Sequence, residues 1–367
     1  MKIKTSVFRD MLNKAVKICT FDKMLPLTSL IEIEFDEKGI SMKTTDNVTT
    51  MIIRENVEGL TPARVVVDAA IITALVNKIT TEDIELTISN ASLTITGNGV
   101  YNLEIRVDES GEIVKLPAIN QELANQATKD FDFQGIAERL NICSSAIATG
   151  EDAKELGNYY LGEMITATDQ LKVSSVSNIE SMKNDELFIR EEFGRHLIGL
   201  GFAKAKYIVS NETLIIVGEN FVLSTTMMLD EKEQFVSRTL QGVKQFLAFV
   251  YNNRVKIKKS IIMDLLDRVS LFVSEYDGKT INCTFLKDNI KVTNRKGTCD
   301  EVIPYEEKVL DDSFVEFSSL LNIEWLKSLL SVLPSEIIEF QFGNNEVAIR
   351  IVDGDISQII SLSDVEE

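Results

Sequence analysis

Polar and apolar residues alternate from the first residues of the chain, and Lys2–Thr5 reads as a short strand. Over Val7–Cys19 the period changes. Phe8, Met11, Leu12, Ala15, Val16 and Cys19 fall on one face of a 3.6-residue repeat, which predicts an amphipathic helix. Three alternating stretches follow, near Ile31–Phe35, Ile40–Thr44 and Thr49–Arg54, as expected of strands with one face against helices. The cycle then restarts with a strand at Val65–Val67 and a helix near Asp68–Lys78. Strands near Ile84–Ser89, Leu93–Thr96 and Val100–Val107 complete it. The first third of the chain is thus predicted to hold two β-α-β-β-β units.

The same pattern recurs further on. Ser89-Asn90-Ala91-Ser92-Leu93-Thr94-Ile95-Thr96-Gly97 reappears as Ser210-Asn211-Glu212-Thr213-Leu214-Ile215-Ile216-Val217-Gly218, with a looser third copy from Gly343 to Ile351. Each reads as two strands around a polar turn. A second echo joins Glu37–Thr44, Thr168–Ser175 and Lys287–Asn294. Self-similarity on this scale marks a repeat architecture. The expectation is an α+β fold of three repeated modules, 1–125, 126–245 and 246–367, with six β-α-β-β-β units in all. The boundaries fall near the Gln/Asn/Ala-rich stretch Pro117–Ala127 and near Leu240–Asn253, a short amphipathic connector.

Composition narrows the function. The 367 residues are 44% hydrophobic and 26% charged, ordinary for a globular protein. A net charge of −19 argues on its face against a nucleic-acid partner. Bulk charge does not locate local patches, however, and a basic inner wall is compatible with an acidic exterior. No apolar run has the length of a membrane helix. The start reads as an amphipathic stretch rather than a signal peptide, so a cytoplasmic location is expected. Cys19, Cys143, Cys283 and Cys299 stand far apart and suit isolated thiols better than a disulfide or zinc framework.

Catalytic chemistry is hard to find. The single histidine, His196, lies beside the apolar face of Phe193, Leu197 and Leu200, which suits a packed residue better than a base. Phosphate-binding loops, nucleophile elbows and HExxH motifs are missing, and the 18 glycines form no cradle. Acidic pairs such as Asp311-Asp312 and Glu366-Glu367 read as solvated surface. No enzyme is expected, and neither a cofactor nor a metal.

Three modules of this kind resemble the bacterial sliding clamp, the beta subunit of DNA polymerase III. Lys23-Met24-Leu25-Pro26-Leu27-Thr28-Ser29-Leu30 looks like the segment after that family's first helix, and Thr44-Thr45-Asp46 like its Ala-Thr-Asp turn. Ile84–Leu86 with Ser92–Ile95 resembles its hairpin. Tyr159-Tyr160-Leu161 and Asn322-Ile323-Glu324-Trp325-Leu326 are similar to two later motifs. The divergence is large, as in clamps of phages or mobile elements.

The resemblance implies a processivity factor: a head-to-tail homodimer forming a ring around duplex DNA, helices lining the hole and sheets outside. It implies binding of a replicative polymerase and opening by an ATP-driven loader. Tyr101 and Leu103 of the first module would face Leu271 and Phe272 of a second copy. DNA contacts would be phosphate-directed rather than base-reading. They fall on Lys14, Lys17 and Lys23, then Lys154 and Arg195, while Glu138, Asn141 and Ser145 leave the second wall only weakly basic. Asp22 occupies the family's arginine position. A peptide pocket between the second and third modules would take Leu161, Val176, Asn178, Ser181, Gln234, Arg238, Thr239, Asn322, Trp325 and the terminal strand Ile359, Ile360, Ser361, Leu362 and Ser363. Trp325 could supply an aromatic wall there. The pocket departs from the family in two places, because Ser361-Leu362-Ser363-Asp364 lacks the apolar-Pro-apolar-Arg ending and Val176-Ser177-Asn178 replaces Thr-Asp-Gly. The competing readings are a clamp-like scaffold without ring closure or DNA retention and, more remotely, a hydrolase on a repetitive scaffold.

Overall fold

The computed structural model describes residues 1–150, 152–343 and 347–362. Among them the order β-α-β-β-β occurs six times. The first unit runs β1 (Lys2–Lys4), α1 (Thr5–Ala15), β2 (Leu30–Phe35), β3 (Gly39–Thr45), β4 (Thr49–Asn56). The second is β5 (Ala63–Asp68), α2 (Ala69–Lys78), β6 (Asp83–Ile88), β7 (Ser92–Thr96), β8 (Val100–Glu104). One helical turn, α3 (Gln121–Ala124), leads to β9 (Lys129–Asp132), α4 (Phe133–Cys143), β10 (Asn158–Leu161), β11 (Met164–Thr168), β12 (Lys172–Ser177). The fourth is β13 (Leu187–Arg190), α5 (Glu191–Leu200), β14 (Lys204–Ser210), β15 (Thr213–Gly218), β16 (Phe221–Thr226). A connecting helix then runs from α6 (Leu229–Gln234) through a π-turn at Phe235–Thr239 into α7 (Leu240–Ala248). The fifth unit is β17 (Asn253–Lys258), α8 (Lys259–Ser270), β18 (Thr280–Phe285), β19 (Asn289–Asn294), β20 (Asp300–Pro304). After an added strand, β21 (Glu307–Val309), the sixth is β22 (Phe317–Asn322), α9 (Ile323–Ser331), β23 (Ile337–Phe342), β24 (Ala348–Asp353), β25 (Ile356–Ser361).

The helices sit where their periodicity puts them. Phe8, Met11, Leu12 and Ala15 of α1 are buried as one stripe. The α-helix stops at Ala15, short of the expected Cys19, because Val16–Ile18 tightens into a 3-10 turn. In α2 the Asp68 carboxylate accepts a hydrogen bond from the Ile71 N–H at 2.9 Å, satisfying an otherwise orphaned donor of the first turn. The connector is longer than expected, since the helix begins eleven residues before Leu240, at Leu229 (240 − 229 = 11).

Two compact units result. The first comprises Met1–Gln134 with Arg195–Met227, the second Gly135–Gly194 with Met228–Glu367. In the first, an eight-stranded sheet has the order β5-β2-β3-β4-β16-β15-β14-β9, beside a four-stranded sheet β1-β6-β7-β8. In the second, a nine-stranded sheet runs β13-β10-β11-β12-β25-β24-β23-β17-β21, beside a four-stranded sheet β20-β19-β18-β22. The seams are antiparallel ladders between distant segments, Met51 opposite Leu223 in one and Val173 opposite Ile359 in the other. Each compact unit therefore joins part of the middle third to an outer third.

Aromatic packing anchors each unit. In the first, Phe202 stacks on Phe221 with centroids 3.7 Å apart, and Phe133 meets both edge-on. Gly218 makes room for this, since a Cβ there would come within 2.0 Å of the Phe221 ring. In the second, Phe342 stacks on Phe285 and Phe317 at 4.1 and 5.4 Å.

Candidate nucleic-acid and partner interfaces

The lysines of the first helix have partners of their own. Lys14 Nζ lies 5.7 Å from the centre of the Phe202 ring, and Lys17 Nζ donates to the Gly199 carbonyl in the last turn of α5. A cation at a helix C-terminus interacts favourably with the free carbonyls and dipole there. Both lysines thus hold α1 against the end of α5 while remaining partly exposed. Lys23 is exposed in the loop that follows. Asp22 is occupied within that loop, where its carboxylate accepts the Met24 N–H at 2.8 Å. Its place in the sequence is therefore explained by turn chemistry.

The Thr44-Thr45-Asp46 turn and His196 belong together. Thr44 Oγ1 donates to the Ala15 carbonyl at 2.9 Å and ties β3 to the end of α1. Asp46 Oδ1 accepts the N–H groups of Val48 and Thr49 at 2.9 and 2.5 Å, and Oδ2 lies 2.8 Å from His196 Nε2. Burial raises the Asp46 carboxyl, but the His196 contact and the two backbone donors outweigh it and hold the pKa below the ordinary range. His196 is thus a packed residue with a carboxylate partner, joining the turn to α5. The second echo has the same chemistry: Asp169 accepts from Leu171 and Lys172 N–H groups at 3.0 and 2.7 Å. Each residue was visible in the sequence, but their pairing was not.

Lys154 and Arg195 are exposed and belong to different compact units. Lys154 lines a cavity of about 540 Å³ together with Arg190, Glu191, Glu192 and Glu231, so its surroundings are acidic. Arg139 on α4 is turned into its own unit, donating to Ser177 and Gly135 carbonyls at 2.8 and 3.0 Å.

The residues assigned to a peptide pocket divide by role. Leu161, Val176 and Ile360 are core residues. Asn178 is buried and donates to the Gly162 carbonyl at 2.7 Å. Asn322 caps α9, its Oδ1 accepting from Glu324 and Trp325 N–H groups at 3.0 and 3.1 Å. Trp325 is half-buried, and its helix packs against β25. Gln234 and Arg238 are exposed and Thr239 half-exposed on the connecting helix; Ser181 is exposed in a 3-10 turn. Ser361 and Leu362 are half-exposed, while Ser363 lies outside the described residues. Ile359 is covered: with Val173 and Ala348 it forms a cluster closed by Val243 and Leu247 of α7. An open groove of about 530 Å³ remains beside this helix. Tyr160, Met164, Thr166, Leu240, Val243 and Leu247 line it, with Lys183 and Lys244 among several glutamates at its rim. None of the residues assigned by resemblance lines that groove; it uses their neighbours. Periodicity could have shown that α7 has an apolar face, but not which strands that face covers.

The four residues assigned to ring closure also differ in exposure. Tyr101 is 37% exposed and Leu103 8% on β8, an edge strand of its four-stranded sheet. Leu271 and Phe272, just after α8, are 81% and 52% exposed. The strand β20 forms an edge of the other four-stranded sheet.

Three of the thiols are poor nucleophiles: burial pushes Cys143 and Cys283 up to about 12, and burial with Asp46 and Asp68 nearby does the same to Cys19. Among the described residues, no group of three or more His, Cys, Asp or Glu side chains could hold a metal ion. No helix there is long and apolar enough to cross a membrane.

A sixfold β-α-β-β-β chain with unpaired sheet edges at β8 and β20 has the fold of a DNA sliding clamp. Residues 1–117 match the family model described as DNA polymerase III beta subunit, N-terminal domain. Over the whole chain the fold matches the DNA polymerase III beta subunit of Borrelia burgdorferi, with TM-score 0.83, 16% identity and 99% of each chain covered. It also matches that of Pseudomonas aeruginosa (0.82, 12%, all of each chain). The sliding clamp of Bacillus subtilis gives 0.80 at 15% identity, covering 99% of this chain and 98% of that one. No curated protein matches the sequence.

Proposed function

We propose that the chain is a replication processivity clamp, a non-enzymatic protein that encircles duplex DNA as a homodimeric ring and tethers a polymerase. The observation that carries this is the sixfold repeat, matched over its full length by known clamps. Two copies would supply twelve units arranged head to tail, a heterologous contact that closes because two repeats of it complete the ring. In this reading the modules are residues 1–125, 126–245 and 246–367. The exposed edges of β8 and β20, with Leu271 and Phe272 nearby, support closure by strand-to-strand pairing. Lys14, Lys17 and Lys23 would face the phosphates, assisted by Lys154 and Arg195. Loading would need an external ATP-driven loader. Partner peptides would dock beside α7, and they should differ from typical clamp-binding motifs because Ile359 is covered; equal affinity for both peptide types in a titration would overturn that.

The test combines sedimentation with DNA retention. A dimer that stays on circular duplex and slides off the linear form is the expected result. A concentration-independent monomer with no retention would instead support the second reading, an interaction scaffold without ring closure. That reading draws on the engagement of Lys14 and Lys17 by Phe202 and Gly199.

A further inference from the structure

The C-terminal end of α7 borders a cleft that the proposed function does not use. Cross-strand register places Arg254 of β17 opposite Gln341 of β23, and Gln341 opposite Arg350 of β24. Neighbouring strands lie about 4.8 Å apart, so the two arginine backbones are roughly 10 Å apart with Gln341 between them. Val255 and Ile257 of β17 are fully buried, which turns Arg254 to the opposite face of the sheet. There a cleft of about 250 Å³ is lined by Phe249, Val250, Tyr251, Arg254, Gln341 and Arg350.

The two arginines are prepared differently. Arg350 is held in place. Its Nη1 donates to the Leu247 carbonyl at 2.7 Å, its Nε to Gln341 Oε1 at 2.7 Å, and its guanidinium lies 4.9 Å from the Tyr251 ring centre. Arg254 is exposed, and among the described residues its side chain has no hydrogen bond or ion pair. Val250 beside it is 71% exposed. The cleft thus offers one fixed guanidinium, one free guanidinium and an apolar wall.

We propose that this cleft is a docking site for a segment of a partner protein carrying a carboxylate next to an apolar side chain. The carboxylate would pair with Arg254 in a charge-assisted, two-pronged contact, beside the guanidinium of Arg350. Its apolar neighbour would cover Val250 and Phe249. The flanking charges select a single carboxylate over a nucleic-acid strand. Glu307, paired with Lys256 at 2.6 Å, stands on one side, and Glu339, engaged by Gln341, on the other. A run of phosphates would have to pass these carboxylates. Pre-ordering of Arg350 lowers the entropy cost of binding.

The test is fluorescence polarisation with a labelled octapeptide bearing an aspartate–leucine–phenylalanine–aspartate core. Binding should weaken tenfold or more on Arg254→Ala, and similarly when both peptide aspartates become asparagine. Lys38→Ala, on an exposed turn of the other compact unit, should leave it unchanged. Thermal melting of Arg254→Ala should match the parent protein, and its retention on circular DNA should persist, separating this site from ring function. Equal binding by Arg254→Ala or by the asparagine peptide would overturn the proposal. So would a short DNA duplex, rather than the peptide, being the species that Arg254→Glu no longer binds.

Discussion

Glu32 shows how much one buried carboxylate can organise. Lys43 Nζ and Arg64 Nη2 donate to it at 2.5 and 2.6 Å, and the Leu116 N–H at 3.3 Å, so it ties β3, β5 and the segment after β8 to β2. Burial raises its pKa, but the two cations and the backbone donor more than offset this and hold it below the ordinary value. Removing one partner of a buried ion pair leaves the others uncompensated. Glu32→Ala is therefore expected to cost about 3 kcal/mol in urea unfolding; a change under about 0.5 kcal/mol, typical of a neutral surface site, would contradict this. Asp46 behaves alike. Because the folded state holds both carboxylates ionised more firmly than the unfolded chain does, their contribution is complete above the ordinary carboxylate range. It is lost as pH falls through and below about 4. Thermal stability should drop over that window, and less steeply in Asp46→Asn. The alternation Ile31-Glu32-Ile33-Glu34-Phe35 places both glutamates outward, and Glu34 is indeed exposed. Glu32 points the same way but is covered by chain that comes more than 80 residues later, the separation between Glu32 and Leu116 being 84.

At the scale of elements, the helices and most strands were legible because 3.6- and 2-residue periods are local properties of the chain. The π-turn at Phe235–Thr239 was not. It carries Phe235 into a cluster with Tyr160, Phe188 and Leu240, and the shift from α to π serves packing against residues far away in sequence. The edge strands carry the prediction that belongs here. Replacing Leu271 and Phe272 together by aspartate should abolish the proposed dimer in sedimentation and leave thermal unfolding little changed, because both side chains are exposed in the single chain. A large fall in melting temperature would show instead that they support the fold. The same exposure separates them from Leu103, which belongs to its own core.

For the whole molecule the net charge is −19, and of the lysines proposed to face DNA, Lys14 and Lys17 already have partners. Lys23→Ala should make the slope of log affinity for linear duplex against log salt shallower by about 1, the effect of one lysine that neutralises one phosphate. Retention on circular DNA should change far less, since a closed ring is held topologically. An unchanged slope would remove Lys23 from the interface. Sequence patterning alone established the six β-α-β-β-β units and the apolar stripe of α1, since each depends on residues within a few turns of one another. Tertiary structure decided the rest. The β4–β16 and β12–β25 seams, the Asp46–His196 pair 150 residues apart, and the cover that α7 lays over Ile359 join distant segments. Such partners are chosen when whole sheets close and apolar faces find one another, and no local period encodes that choice.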